Sequence, residues 1–222
     1  MKKLFSILGV LVTILIPFFL IMTSARTIMN PFFLDYEYNL SNFPPDEFGF
    51  TTQDRLQWGK ISLNYLFNRQ GIEFLQDLKF NDGTALYNDR ELSHMLDVKV
   101  LVQAALKVWY AIIAFLFLVW VFAQIIHAKK KFWRAVSFGG WLTIFFILLA
   151  LAAILIDFDA LFRGFHAIFF IADTWLFYIN DTLIRLFPEK LWSDAFTFVG
   201  VFTLVGAVLC GILGQRISQR SN

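Results

Sequence analysis

Cysteine and histidine are scarce in this sequence, which has one Cys and three His among 222 residues. Without a second cysteine, the chain forms no intrachain disulfide. Because Cys210 lies inside a long apolar run, a covalent cysteine mechanism is also excluded. The sequence has no Gly-x-Ser-x-Gly elbow, no HExxH pair and no glycine-rich phosphate loop. It therefore offers no signature of a serine hydrolase, a zinc protease or a nucleotide-binding protein.

Acidic residues are absent from three basic segments that flank apolar runs. These segments hold eight basic residues, which are Lys2, Lys3, Lys129, Lys130, Lys131, Arg134, Arg216 and Arg220. All 17 acidic residues lie elsewhere, between Asp35 and Asp97 or between Asp157 and Asp194. Because basic residues near span ends stay in the cytoplasm, we expect both termini there and both acidic regions outside. The net charge of +2 is the sum of two opposite faces and indicates no nucleic-acid partner.

The chain is unusually rich in hydrophobic residues, and many of them lie in long runs. Hydrophobic residues make up 58% of the sequence, against roughly 45–50% in soluble proteins. Four apolar runs approach the ~20 residues that span a hydrocarbon core. They cover residues 4–23, 108–126, 135–156 and 196–213. The sequence predicts an all-α membrane protein, with residues 1–222 as a single membrane domain of four transmembrane helices.

The first apolar run has a second interpretation, as a cleaved secretory signal. Residues 23–25, Thr-Ser-Ala, resemble a cleavage site. However, the run has about 19 apolar residues, more than the ~7–15 of a signal core. We therefore expect a retained anchor.

The stretch between the first two spans is long enough for a small extracellular cap, over residues 25–107. The breakers at residues 42–46 exclude regular helix there, whereas Thr52 is predicted to be the N-cap of a helix that stops near Gly71. Asn88 and its third neighbour Glu91 form a capping-box pattern, which predicts a helix that continues into the second span. The cap is therefore expected to be mainly helical.

Residues 157–195, between the third and fourth spans, are strongly aromatic. The aromatic residues include Phe162, Phe165, Phe169, Phe170, Trp175, Phe177, Tyr178 and Trp192. Segments of this kind lie in the plane of the interface, so we predict one or two interfacial helices beneath the cap. An ordinary aromatic belt is the alternative.

A polar stripe precedes the second span. Lys99, Gln103 and Lys107 recur every four residues and therefore share one helix face. The favoured interpretation is that these side chains snorkel to the interface. The alternative is a polar wall that faces the cap.

Two of the three histidines are predicted to lie outside, each near a span. These are His94 and His166, whereas His127 adjoins the cytoplasmic lysines. Histidine is the side chain best suited to moving protons near neutral pH, so two at one depth suggest an acid–base pair. A histidine with satisfied hydrogen bonds and a purely structural role is the alternative.

Carboxylates flank both histidines at helical spacing. Glu91 and Asp97 lie three residues either side of His94, and Asp173 lies seven residues after His166. A carboxylate at that distance can orient an imidazole ring. Two histidines and a carboxylate could also form a zinc site, although no metal-ligand spacing supports one.

Two strings around the histidines resemble signatures of the bacterial lipoprotein intramolecular transacylases (Lit). The first is RELSHMLDVK at residues 90–99. The second is FHAIFF at residues 165–170, followed by Trp175 and by LFPE at residues 186–189. The four-span plan, the cap and residues 49–66 also fit, so the resemblance covers most of the chain.

The resemblance implies a reaction and a substrate. Enzymes of this family move the sn-2 acyl chain of a diacylglyceryl-modified lipoprotein to the α-amine of its N-terminal cysteine, which gives a lyso-form lipoprotein. The implied partners are bacterial lipoproteins and membrane lipid. The implied location is the plasma membrane, with the active site at the extracellular surface.

The resemblance also implies the site residues. His94 and His166 would be catalytic, without a cofactor, a metal or a covalent acyl-enzyme. The residues expected to bind or orient the substrate are Arg90, Glu91, Met95, Asp97, Phe169, Phe170, Asp173 and Trp175. We hypothesise that His166 is the principal acid–base residue and His94 its partner, with Asp97 or Glu91 orienting. Arg90 would either stabilise an oxyanion or pair with an acidic neighbour.

Two other functional classes stay open at this point. One is a non-enzymatic accessory membrane protein whose cap recognises a lipoprotein or an envelope partner. The other is a zinc-dependent membrane hydrolase.

Overall fold

A computed structural model describes residues 2–170 and 175–220 of the chain. Over these ranges the backbone forms nine helices, and the only β-pairing is a bridge between Lys79 and Ala85. The helices are α1 (Lys2–Ile28), α2 (Pro31–Tyr38), α3 (Thr52–Phe67), α4 (Glu73–Gln76), α5 (Asp89–Ile125), α6 (Lys129–Ile156), α7 (Phe158–Phe169), α8 (Thr182–Leu186) and α9 (Glu189–Arg220).

Four of these helices, α1, α5, α6 and α9, are long and apolar enough to cross a membrane. The predicted all-α, four-span class is therefore confirmed. Each helix extends beyond its apolar run, because helix ends are set by caps and breakers rather than by the last apolar residue. The largest extension is in α5, which begins at Asp89, well before the apolar run that starts at residue 108.

The chain divides into two compact units. The first unit comprises the residues up to Thr27, Ala105–Ile156 and those from Thr197 onward. The second unit comprises Ile28–Ala104 and Asp157–Phe196. Both histidines of the two signature strings belong to the second unit.

Small residues allow close helix packing in the first unit. A Cβ added to Gly139 of α6 would lie 2.6 Å from Ile16 Cβ of α1, and one added to Gly140 would lie 2.6 Å from the Ala207 carbonyl oxygen of α9. Glycine at these points lets the helix backbones approach each other closely, as is usual between membrane helices. The core they enclose includes the fully buried side chains of Val12 and Ala123.

The order of these contacts places three helix ends on one side of the first unit. Gly9 faces Ala135, and further along both helices Ile16 faces Gly139, so α1 and α6 run parallel. In contrast, Gly214 of α9 adjoins Ser137, whereas the earlier Ala207 adjoins Gly140, so α9 runs antiparallel to α6. The start of α1, the start of α6 and the end of α9 therefore lie together.

The second unit is built around α3, whose start is one residue earlier than expected. Thr51, and not Thr52, is the N-cap: its hydroxyl accepts from Asp54 N–H at 3.1 Å, and the Asp54 carboxylate accepts from Thr51 N–H at 2.8 Å. Tyr65 of α3 packs with Leu75 and Leu186, and all three side chains are fully buried. This core holds the start of α5 against α8.

Two of the three residues of the polar stripe on α5, Lys99 and Gln103, bind other residues of the second unit. Lys99 Nζ donates to the Asn68 side-chain oxygen at 3.0 Å and to the Gln70 carbonyl at 2.6 Å. Gln103 donates to the Asn68 carbonyl at 3.3 Å, whereas Lys107 is exposed. The snorkelling interpretation is therefore wrong for Lys99 and Gln103. Both side chains donate hydrogen bonds to backbone carbonyls of the loop that follows α3.

Candidate active site

The imidazole rings of His94 and His166 stack in the second unit. Their ring centroids are 5.9 Å apart and their planes differ by 22°. Only 8% of His94 and 9% of His166 is exposed. Helix α5 supplies the first ring and α7 the second, so the fold brings together two side chains that lie 72 positions apart in the sequence.

The capping box predicted at Asn88 fixes the start of α5. The Asn88 side chain accepts from Glu91 N–H at 3.0 Å, and the Glu91 carboxylate accepts from Asn88 N–H at 2.8 Å. The second carboxylate oxygen of Glu91 accepts from Leu183 N–H at 2.7 Å. Glu91 therefore joins α8 to the first turn of α5 and sets the position of His94 through the backbone.

Helix α7 holds His166 one turn from its C-terminus. The helix is capped by Asp157, whose carboxylate accepts from Ala160 N–H at 2.9 Å. His166 Nδ1 lies 2.8 Å from the carbonyl oxygen of Phe162. Because a carbonyl can only accept, Nδ1 carries the proton and Nε2 of the neutral ring has a free lone pair. His166 is thus fixed as a tautomer that can accept a proton at Nε2.

His94 has a buried nitrogen without a partner. Its Nδ1 is fully buried and has no hydrogen bond to any residue that the structure describes. Burial lowers the pKa of His94 to about 4, and the nearby His166 adds to the shift. Burial also lowers the pKa of His166, although its hydrogen bond to Phe162 opposes this. Both rings are therefore neutral at pH 7 and available as bases.

Aromatic side chains enclose the two rings. Phe170 contacts both of them, with its ring centroid 4.9 Å from His94 and 5.4 Å from His166. Phe177 is 5.3 Å from His94, whereas Phe162 and Trp175 are 4.1 Å and 5.0 Å from His166. Apolar surroundings of this kind suit a lipid chain and exclude water.

Arg90 pairs with an acidic residue, which is one of the two roles expected from the sequence. Its guanidinium donates to the Asp181 carboxylate at 2.5 Å and lies 4.7 Å from the ring centroid of Tyr178. Asp181 also accepts from the Asn88 side chain and from Tyr178 N–H, at 3.0 Å and 2.8 Å. The pair holds the segment that carries Phe177 against the start of α5.

The other residues predicted to bind or orient the substrate differ in burial and in their contacts. Met95 is buried in the core beside α3 and α8, whereas Asp97 is exposed. Phe169 is 49% exposed and packs against Phe165. Asp173 lies outside the described residues. Neither described carboxylate bonds an imidazole: Asp97 is exposed and Glu91 binds backbone N–H groups.

Sequence reasoning missed three contributors to this site, Phe162, Phe177 and Asp181. In the sequence, Phe162 and Phe177 are distinguished only as members of the aromatic-rich segment 157–195. Asp181 directly precedes Thr182 at the start of α8, and an Asp at a helix start is a readable signal. Its pairing with Arg90 is not readable, because it depends on tertiary packing.

Within the described ranges, no three His, Cys, Asp or Glu side chains form a group that could hold a metal ion. The zinc hydrolase alternative therefore has no three-ligand set there. The fold and the site define an integral membrane protein with a buried histidine pair in an aromatic pocket.

Comparisons with known proteins assign this chain to a family. The sequence profile of the lipoprotein intramolecular transacylase Lit matches residues 10–192. An uncharacterized protein of Aquifex aeolicus (strain VF5) is 30% identical over 222 residues, with 97% of each chain covered. The chain belongs to the lipoprotein intramolecular transacylase (Lit) family and is an acyltransferase, as the two signature strings imply.

Solved structures share the fold. The membrane integral lipoprotein intramolecular transacylase Lit of Bacillus cereus superposes with a TM-score of 0.71 at 19% identity, over 99% of this chain and 98% of that one. A variant of the same protein, with a histidine replaced by alanine, gives 0.65 at 20% identity over 99% and 96%.

Proposed function

We propose that the chain transfers the sn-2 acyl chain of a diacylglyceryl-modified lipoprotein to the α-amine of its N-terminal cysteine. His94 and His166 carry the proton transfers, and no acyl-enzyme forms. The observation that carries the proposal is the stacked, buried pair of neutral imidazoles, one with a free Nε2 and the other with an unpartnered Nδ1.

The reaction needs one proton acceptor and one proton donor. The amine nitrogen attacks the ester carbonyl, so that a C–N bond forms and the amine loses a proton. The ester C–O bond then breaks, and the glycerol oxygen takes up a proton. The sum is one amide and one alcohol at unchanged mass. Because donor and acceptor belong to one substrate molecule, correct positioning can contribute roughly 7–11 kcal/mol.

His166 Nε2 suits the role of first base. Its Nδ1–H is held by the Phe162 carbonyl, so the ring orientation and the free lone pair are fixed before substrate binds. His94 stacks on this ring and disfavours a second proton on the pair, since each cation would repel the other. One proton can therefore be taken from the amine and returned to the glycerol oxygen.

The aromatic pocket suits the acyl chain. Phe170 and Trp175 border the two imidazoles, and their exclusion of water would protect the ester and the tetrahedral intermediate from hydrolysis. Arg90 is engaged by Asp181, so we assign it to holding this pocket rather than to the oxyanion.

The proposed setting is the bacterial plasma membrane, with both termini in the cytoplasm and the histidines at the extracellular surface. Two observations support this orientation. The basic segments carry no acidic residue, and the start of α1, the start of α6 and the end of α9 share one side of the first unit.

Mass spectrometry of a model lipoprotein's N-terminal lipopeptide tests the proposal. Cells with the wild-type protein should give the N-acylated lyso-form at unchanged total mass, and His94→Asn and His166→Asn should abolish it. His127→Asn is the matched control, because His127 lies in the α5–α6 turn with φ 54°, which Asn tolerates. An unaltered diacylglyceryl form in cells that contain the wild-type protein would overturn the proposal.

A further inference from the structure

An apolar groove in the first unit runs between the first turns of α1 and α6. Its volume is about 500 Å³, within the roughly 300–1,000 Å³ of small-molecule sites. Exposed apolar side chains line it, with Val10 and Ile14 on α1 and Phe138 on α6. The hydroxyl of Thr13, which also lines it, already donates to backbone carbonyls. The Thr13 hydroxyl is therefore already engaged within the protein.

The close packing of α1 on α6 does not depend on the absence of a side chain at Gly9. A Cβ added to Gly9 would meet only Ala135 Cβ, at an ordinary 3.8 Å, whereas one added to Gly139 would collide with Ile16. The two helices are thus in close contact at Ile16 and leave a gap beside Gly9. The glycine keeps the gap open without being needed for the contact.

Two cations lie on the groove face. Lys131, Arg134, Ala135 and Phe138 follow the i, i+3, i+4, i+7 spacing of one helix face, and all four line the groove. Both cations are exposed, and no described carboxylate forms a salt bridge with either. Arg134 lies 5.3 Å from the ring centroid of Phe138, which keeps its charge at the groove. Their position is unfavourable for the isolated helix, because cations at a helix N-terminus oppose its dipole.

From these features we infer that the groove binds one anionic membrane phospholipid. An acyl chain lies along Val10, Ile14 and Phe138, and the phosphate meets Lys131 and Arg134. Basic pockets between membrane helices bind anionic headgroups in this way. Charge complementarity selects the anionic lipid over a zwitterionic one. The inference does not depend on the proposed transacylase reaction.

The test uses the full chain, washed free of lipid in a neutral detergent. Native mass spectrometry and the apparent Tm are recorded with dioleoylphosphatidylglycerol, with dioleoylphosphatidylcholine and with sn-glycerol 3-phosphate. The wild type should retain phosphatidylglycerol at least tenfold better than phosphatidylcholine, with a Tm raised by several degrees. Equal retention of the two lipids would overturn the inference, and so would an equal response to glycerol 3-phosphate, which has no acyl chain.

Charge-matched variants locate the site. Lys131→Gln with Arg134→Gln should lose the preference for phosphatidylglycerol, whereas Lys129→Gln with Lys130→Gln should keep it. Both double variants remove two positive charges from the same basic segment at the start of α6, so they should affect membrane topology equally. Gly9→Leu should fill the groove and lose retention of phosphatidylglycerol. Retention by Gly9→Leu, or equal loss by both double variants, would contradict the assignment.

Discussion

The carboxylate of Glu91 accepts a hydrogen bond from Leu183 N–H at 2.7 Å, and so links two segments that lie 92 residues apart. The same carboxylate closes the capping box at Asn88. Glu91 is only 1% exposed, so its oxygens have no water to replace these donors. One side chain therefore fixes both the start of α5, which carries His94, and the start of α8.

We expect Glu91→Gln to destabilise the protein and lower its activity. The amide group of glutamine would place N–H donors against an N–H of Asn88 or Leu183, and one unsatisfied buried donor costs about 1–3 kcal/mol. Thermal unfolding in detergent, together with the lipopeptide assay, measures both effects. Asp97→Asn is the control, because Asp97 is exposed and should tolerate the change. Equal Tm values for the two variants would contradict the role of Glu91.

The low pKa of His94 predicts acid sensitivity. The pKa is about 4 in the folded protein and about 6.5 in an unfolded chain, so the unfolded state binds more protons between these values. The stability contribution is complete above pH 6.5 and is lost as the pH falls from 6.5 to 4. His94→Phe removes the titrating group, so its Tm should fall less than that of the wild type over this window. Parallel Tm curves would show that His94 does not carry the effect.

Arg90 and Asp181 should behave as a unit. Arg90→Gln and Asp181→Asn each leave a partly buried charge without its partner, so each should lower Tm and activity. The double variant should be no worse than the more damaging single one, because contacting residues are not additive. The cycle is measured by thermal unfolding, with a coupling on the order of 0.5–3 kcal/mol expected for contacting residues. Strict additivity would argue against coupling through the ion pair.

Phe170 and Phe169 form an adjacent pair with different expected effects. Phe170→Leu removes the ring that contacts both imidazoles, so water should enter and hydrolyse the ester. The lipopeptide would then appear without N-acylation and lighter by one acyl chain. Phe169→Leu changes a half-exposed ring and should leave the transfer intact. Mass spectrometry separates the products, and equal hydrolysis by both variants would contradict the assigned pocket.

Much of the fold followed from local signals. The apolar runs predicted the four spans, because a helix that crosses lipid must be apolar along its length. The pattern of Asn88 and Glu91 predicted the start of α5, since a capping box is formed within four residues. The two histidines were readable as candidates because so few side chains in the sequence can exchange protons near neutral pH.

The sequence by itself therefore determined the helical class, the segregation of charge and the identity of the histidine pair. Only the tertiary structure decided that Glu91 binds backbone N–H groups instead of an imidazole, that Asp181 pairs with Arg90, and that Lys99 faces protein. Helix caps and hydropathy are properties of neighbouring residues, so they can be read along the chain. Contacts between residues 29 to 92 positions apart depend on which helix faces meet, and packing decides that.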